Sequence, residues 1–254
     1  MILTNENYFS RANQMKYMGA SQFKSFCDCE ARTMAELRGE YIREVTNSLL
    51  VGSYVDAYFE GTLDLFKAKH PDVFTKTGVL KADFKQAEYI IERIERSEMF
   101  MGYLSGSKQI IKTGEIEGVP VKIKIDSYHE GDKIVDLKIM KDFQSIWAEG
   151  RGKLPFPLYW GYDIQGAIYQ AVEGNNLPFY LAAATKEDGP DLAIIQIPQY
   201  YLDTAMANIK SKIVRFQAIK EGIIEPERCE KCNYCKATKV LERVISLEEM
   251  EYAE

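Results

Sequence analysis

The fold is decided by Val121 to Met140, which reads Val-Lys-Ile-Lys-Ile-Asp (121–126), Ser-Tyr-His-Glu-Gly-Asp (127–132) and Lys-Ile-Val-Asp-Leu-Lys-Ile-Met (133–140). Strict alternation of apolar and polar residues marks a strand with one buried face. It places Val121, Ile123 and Ile125 on one side and Lys122, Lys124 and Asp126 on the other. In the second run Lys133, Val135, Leu137 and Ile139 share a face, and Asp136 and Lys138 project together from the opposite one. The expectation is a β-hairpin with Asp126, Asp136 and Lys138 collected on one face. Two carboxylates on rigid strands suit a hard divalent cation, because Mg²⁺ takes oxygen ligands and is held by one or two carboxylates together with substrate phosphate. A lysine beside them can orient a water nucleophile or stabilise developing negative charge, which is the chemistry of phosphodiester hydrolysis. The same spacing describes the solvated face of an ordinary antiparallel hairpin, and alternation alone does not choose between the two.

A chain of 254 residues with 46% hydrophobic residues supports one substantial core. No run approaches the roughly 18 consecutive apolar residues of a membrane helix. The opening Met-Ile-Leu-Thr-Asn-Glu-Asn lacks the basic and apolar regions of a signal peptide, so a cytoplasmic location is expected. A net charge of −6 argues against a generally basic, DNA-coating surface and leaves room for a local basic patch. Five cysteines in such a chain suggest ligands rather than disulfides.

Before the hairpin, Ser21-Gln22-Phe23-Lys24-Ser25-Phe26 reads as the start of a helix capped by Ser21, with Phe23, Phe26 and Met34 toward one side. Cys27 and Cys29 then point about 200° apart, so only one of them serves a common site. Leu49 to Phe59 reads as a second helix with Asp56 as its conspicuous polar residue. Residues 64–82 read as loop-rich around His70-Pro71 and Gly78. An amphipathic helix is expected from about Asp83 to Glu98, with Phe84, Ala87, Ile91 and Ile94 inward. Lys108 to Glu117 supplies a strand that enters the hairpin through a Glu117-Gly118 turn, and its Glu115 is a further candidate metal carboxylate.

After the hairpin, Arg151 to Trp160 breaks the pattern. Its Phe156, Tyr159 and Trp160 are either core residues or a platform on which unpaired bases stack while Arg151 and Lys153 meet phosphates. Tyr162 to Gln170 reads as a helix with Gln165 and Tyr169 on one face. Phe179 to Lys186 and Leu192 to Pro198 read as strands, and Tyr201 to Glu221 as a long helix with Met206, Ile209, Ile213, Phe216 and Ile219 at helical spacing, ended by Gly222. This order gives an α/β class, one mixed sheet flanked by helices. Near the end, Cys229-Glu-Lys-Cys232-Asn-Tyr-Cys235 places three thiols at intervals of three. With a fourth ligand they close a tetrahedral zinc site or an iron–sulfur cubane; without one they are reduced thiols.

Asp126, nine intervening residues and then Asp136-Leu137-Lys138 resembles the core motif of the PD-(D/E)XK nuclease superfamily, particularly its RecB-like and phage exodeoxyribonuclease-VIII-like branch. Gln165-x-x-x-Tyr169 after the Asp-x-Lys strand resembles the additional motif of RecB-like nucleases, and the matching pieces run from roughly Ser21 to Cys235. The resemblance implies a single restriction-endonuclease-like nuclease domain over 1–254: a helical part (18–100), a catalytic sheet core with the Gln-x-x-x-Tyr helix (105–200), and a C-terminal helix with the cysteine cluster (201–254). It implies Mg²⁺ or Mn²⁺ held by Asp126, Asp136 and the Leu137 carbonyl, Lys138 assisting the nucleophile, and Gln165 and Tyr169 placing the DNA strand. Asp56 stands where such nucleases commonly present a histidine to the metal. Some RecB-like nucleases close a 4Fe-4S cluster with one cysteine before the core and three after it, which implies Cys29 with Cys229, Cys232 and Cys235, leaves Cys27 spare, and keeps zinc as a rival. The implied function is metal-dependent DNA exonuclease in phage or prophage recombination, with a single-strand-annealing protein as partner and a homo-oligomeric state by analogy. Asp56 in place of histidine leaves an inactive DNA-binding or assembly module as the alternative.

Overall fold

A computed structural model describes residues 2–251. Helices α1 (Arg11–Lys16), α2 (Ala20–Asp28), α3 (Glu30–Arg38), α4 (Asn47–Phe59), α5 (Leu63–Lys69), α6 (Ala82–Glu95) and α7 (Glu98–Leu104) precede strands β1 (Ser107–Ile116), β2 (Val119–His129) and β3 (Lys133–Met140). A small hairpin of β4 (Ile146–Ala148) and β5 (Gly152–Leu154) follows, then α8 (Phe156–Tyr159) and α9 (Tyr162–Glu173). Strands β6 (Phe179–Thr185) and β7 (Leu192–Ile197) complete the main sheet, and α10 (Gln199–Lys220), α11 (Asn233–Ala237) and α12 (Leu247–Glu251) come after it. Among the described residues no helix is long and apolar enough to cross a membrane.

The main sheet has the order β1-β2-β3-β6-β7. Its one parallel pair is β3 with β6; the others are antiparallel. A parallel neighbour needs a crossover connection, and α9 is that connection. The class is therefore mixed α/β, a five-stranded mixed sheet flanked by helices. Alternation decides the faces: Val135, Leu137 and Ile139 pack with Leu50, Val51 and Tyr54 of α4 and Phe84 and Ile91 of α6. Val121, Ile123 and Ile125 belong to the core on the other side, with Phe23, Ile168, Ile209 and Phe216. The expected single hairpin face is therefore corrected: the register would put Ile125 with Leu137, whereas Ile125 and Tyr128 share one core and the alternation breaks around Asp126. Glu117 and Gly118, at φ 50° and 75°, form the two-residue turn whose twist matches its strands.

The hairpin of β2 and β3 is incomplete, and that makes the site. The two strands pair only at Ser127–Val135, Tyr128–Ile134 and His129–Lys133. Beyond those residues the Met18 backbone takes over the edge of β2, its N–H donating to the Pro120 carbonyl at 2.8 Å and its carbonyl accepting from the Lys122 N–H at 3.0 Å. Asp126 and Asp136 stand where the ladder stops. The Leu137 N–H there donates to Asp126 Oδ2 at 3.1 Å instead of to a strand carbonyl.

Several local expectations need correction. Ser21 is not a cap: the chain leaves the β2 edge at Met18, so α2 starts at Ala20 behind Gly19, with no side-chain cap. Nor do Cys27 and Cys29 share a helix. Cys29 is extended (φ −166°, ψ 110°), ends α2 and opens α3 by accepting the Arg32 N–H on its sulfur at 3.4 Å. This break leaves Cys27 exposed and Cys29 buried. The passage 64–82 holds α5 and a 3₁₀ turn at Pro71–Val73. The amphipathic helix stops at Glu95, and Ser97 caps the separate α7. Lys122, read on the polar hairpin face, is 1% exposed, with its ammonium on the Tyr8 carbonyl.

Candidate active site and cysteine centre

The parted strands open into a cleft of about 1310 Å³ walled by α2, α4 and α9. Asp56, Asp126, Asp136, Lys138, Gln165 and Tyr169 all line it. Each is delivered by a regular element: Asp56 by α4, which Thr46 caps through the Leu49 N–H; Asp126 by β2; Asp136 and Lys138 by β3; Gln165 and Tyr169 by α9. The helix α9 lies close to the sheet because residue 166 is glycine. A Cβ there would meet Phe179 Cδ1 at 2.6 Å and Leu202 Cδ2 at 2.8 Å.

Asp136 is 1% exposed and sits at the centre of the polar contacts. Its Oδ1 accepts from Gln165 Nε2 at 2.5 Å. Its Oδ2 is ion-paired with the Lys138 ammonium. Lys138 Nζ donates to the Leu137 carbonyl at 3.0 Å, and the Tyr169 hydroxyl donates to the Lys124 carbonyl at 2.8 Å. Asp126 Oδ1 accepts from Gln109 Nε2 at 3.4 Å.

Burial pushes the Asp56 carboxyl up to about 7, with Asp136 adding to the shift and Lys138 opposing it. Burial and then the Asp136 charge hold Asp126 well above the usual carboxylate range. For Lys138 burial pulls downward, but Asp136 and Asp126 outweigh it and keep the group an ammonium. Asp56, Asp126 and Asp136 line one cleft beside Lys138, and carboxylate oxygens are the ligand type that suits a hard divalent cation. Asp126, Asp136, Asp56 and the Leu137 carbonyl are the groups that could hold Mg²⁺ or Mn²⁺ there.

The second cluster lies behind α2. Cys29 Sγ is 3.6 Å from Cys235 Sγ and 3.8 Å from Cys232 Sγ, and Cys229 Sγ is 3.9 Å from Cys235 Sγ. All four sulfurs lie within 4.8 Å of one another. Arg215 binds Glu30 with both Nε (2.8 Å) and Nη2 (2.9 Å), and Glu30 accepts the Glu227 N–H at 2.8 Å. That clasp brings the three late thiols to Cys29.

A family model described as "PDDEXK-like domain of unknown function (DUF3799)" matches residues 19–238. The chain belongs to this PDDEXK-like family. Among solved structures the PDDEXK-like chain is similar to a protein from Eubacterium rectale described as a "putative exonuclease", at 46% identity over 100% of both chains with a TM-score of 0.95. No curated protein matches it.

The PDDEXK-like cleft also contains residues that sequence reasoning passed over. Lys24 reaches in from α2, its Nζ donating to the Trp160 carbonyl at 3.1 Å and lying 5.1 Å from the Tyr162 ring centre. Burial, and after it the Lys138 charge, lowers Lys24 to about 8. Lys122, Lys124 and Glu60 line the same space. Alternation already put Lys122 and Lys124 on the Asp126 side; nothing local in α2 marks Lys24. Glu115 is not recruited: it is exposed and pairs with Pro120 at the far end of β1. Arg151, Lys153, Tyr159 and Trp160 also fall outside the cleft lining, and Phe156 is core.

Proposed function

We propose that the chain is a metal-dependent DNA exonuclease that hydrolyses phosphodiester bonds. One observation carries the reading: Asp56, Asp126 and Asp136 meet Lys138 and Gln165 in one cleft whose other walls carry Lys24 and Lys124. Acidic residues at the centre suit a cation and lysines around them suit the phosphates of a substrate strand. The letters D, D and K in the family's name have counterparts in Asp126, Asp136 and Lys138, and the similar Eubacterium rectale protein is described as a "putative exonuclease".

Bound Mg²⁺ or Mn²⁺ would supply a polarised phosphoryl oxygen and an acidified water. Lys138 keeps its proton beside Asp136 and Asp126, so it acts as a donor that orients the nucleophile and stabilises charge developing on the phosphoryl oxygens, and does not act as the base. Gln165 fixes Asp136 through Oδ1, and Oδ2 is the oxygen it shares with the Lys138 ammonium. Tyr169, bonded to the Lys124 carbonyl, steadies β2 beside Asp126. The lysines of the cleft wall hold the strand.

The test is incubation of linear and covalently closed circular DNA with Mg²⁺ or Mn²⁺, with and without chelator. Degradation of linear DNA only, stopped by chelator, is expected. Intact linear DNA under every ion tested would refute the reading.

A further inference from the structure

We propose that Cys29, Cys229, Cys232 and Cys235 form a centre for one tetrahedral zinc ion, and that a 4Fe-4S cluster does not fit them. The argument is geometric. Four sulfurs around a single zinc at the usual Zn–S length of about 2.3 Å stand about 3.8 Å apart along each tetrahedral edge. Three of the six separations, 3.6, 3.8 and 3.9 Å, match that edge, and the other three stay within 4.8 Å. In a cubane each thiolate binds a different corner iron, so the four sulfurs spread to roughly 6 Å and enclose the whole inorganic core. Sulfurs that all lie within 4.8 Å of one another leave no space for it. A disulfide is excluded by the same separations, since a bonded pair stands at about 2.05 Å.

The backbone supports thiolates in this arrangement. Arg32 N–H donates to Cys29 Sγ at 3.4 Å, Cys232 N–H to Cys229 Sγ at 3.3 Å and Cys235 N–H to Cys232 Sγ at 3.4 Å. Three of the four sulfurs thus accept a peptide donor, which orients the ligands and spreads the charge that four thiolates leave on a divalent ion. Each donor is held by structure already present: Arg32 lies in the first turn of α3, and Cys232 caps α11 through the Cys235 N–H. Cys29 and Cys235 are buried while Cys229 and Cys232 are half-buried. A closed four-ligand set with no open position is a structural zinc site, so the ion joins the α2–α3 corner to the chain after α10 and takes no part in chemistry. The inference is independent of the nuclease reading.

The experiment is metal analysis of the full chain, purified anaerobically from iron-replete cells, with zinc, iron and acid-labile sulfide measured on the same sample. About one zinc per chain is expected, with iron and sulfide at trace level and no visible colour. Exchange of zinc for Co²⁺ is expected to give the intense absorption of tetrahedral cobalt–thiolate. Cys232→Ser loses the ion and Cys27→Ser keeps it. Should Cys232→Ser fail to fold, zinc is withdrawn from the parent protein with a strong chelator; a lower Tm, restored by added Zn²⁺, is the expected result. Brown protein carrying iron and sulfide in cluster amounts overturns the proposal. So does protein that arrives without zinc and takes up neither Zn²⁺ nor Co²⁺.

Discussion

Asp136 and Lys138 are two residues apart on one strand, yet their substitution is expected to separate two functions. Asp136 is buried and both its oxygens face charged or polar partners, so truncation to alanine would leave Gln165 Nε2 without its acceptor and Lys138 without its counter-charge. Asp136→Asn keeps the shape and removes the charge; cleavage should fall by more than about 100-fold with weakened Mn²⁺ binding. Lys138→Gln should lower the rate by about 100-fold or more yet leave Mn²⁺ binding intact, because an ammonium stabilises charge without being a ligand. Equal losses of Mn²⁺ affinity in the two variants would contradict these roles. Asp56 makes the site's pH behaviour testable. Burial pushes its carboxyl up to about 7 in the folded protein against an ordinary value of 3.8. The folded state therefore binds more protons than the unfolded one, and stability from this group declines as pH rises from about 4 to about 7. A divalent cation relieves that penalty only where the carboxyl is ionised. The rise in Tm on adding Mg²⁺ should then be larger at about pH 8 than at about pH 5, and Asp56→Asn should flatten the difference; equal rises at both pH values in the parent would count against the arrangement.

The helix α9 carries both Gln165 and Tyr169, and its seating on the sheet sets their reach into the cleft. Its end is tied down where the Tyr128 hydroxyl donates to Glu173 Oε1 at 2.9 Å and Gln170 Nε2 donates to the Leu177 carbonyl at 2.8 Å. At Gly166 an alanine would gain up to about 1 kcal/mol in helix propensity. The 2.6 Å approach to the Phe179 ring makes the packing penalty, about 1–3 kcal/mol, the larger effect. Gly166→Ala should therefore lower stability in urea titration and reduce cleavage together, by lifting Gln165 away from Asp136; an unchanged midpoint and rate would show that the helix has slack. Elements of this kind were legible in the sequence because their signals are local. Alternation gave the face of β3 and of β2 up to Ile125 but not its break around Asp126, Glu117-Gly118 gave the turn, and the spacing of Gln165 and Tyr169 gave their shared face. The break at Cys29 was not legible, since cysteine is no helix breaker and the bend follows from pinning α3 against the chain near Glu227. Nor was the parting of β2 from β3, because the Met18 backbone that occupies the β2 edge beyond it lies over a hundred residues away in the chain.

Long-range polar ties hold the two ends of the molecule to its core, and none of them has a sequence signature. Lys122 reaches the Tyr8 carbonyl. Lys220 Nζ donates to the Tyr17 carbonyl and to Gln22 Oε1, both at 3.0 Å, and burial lowers it to about 7. Lysines are rarely buried, and here each burial depends on a carbonyl presented by the segment before α2. At the other end, Arg215 of α10 holds Glu30 and Glu227 together, and the Ala31 N–H donates to the Glu227 carbonyl at 3.0 Å. Glu30 is the inner member, 8% exposed, while Arg215 is partly open to solvent. Loss of the arginine thus leaves a nearly buried carboxylate with the Glu227 N–H as its remaining donor. Charge-assisted hydrogen bonds at a site of this kind contribute about 1.5–3 kcal/mol, and solvent access to the arginine places the expected cost of Arg215→Met near the middle, about 2 kcal/mol. The same change should speed hydrogen exchange at the Ala31 and Glu227 amides, because these are the backbone groups the clasp aligns, and should leave the central strands protected until global unfolding. Exchange rates at those two amides equal to the parent's would mean that the cysteine centre alone joins the C-terminal segment to α3.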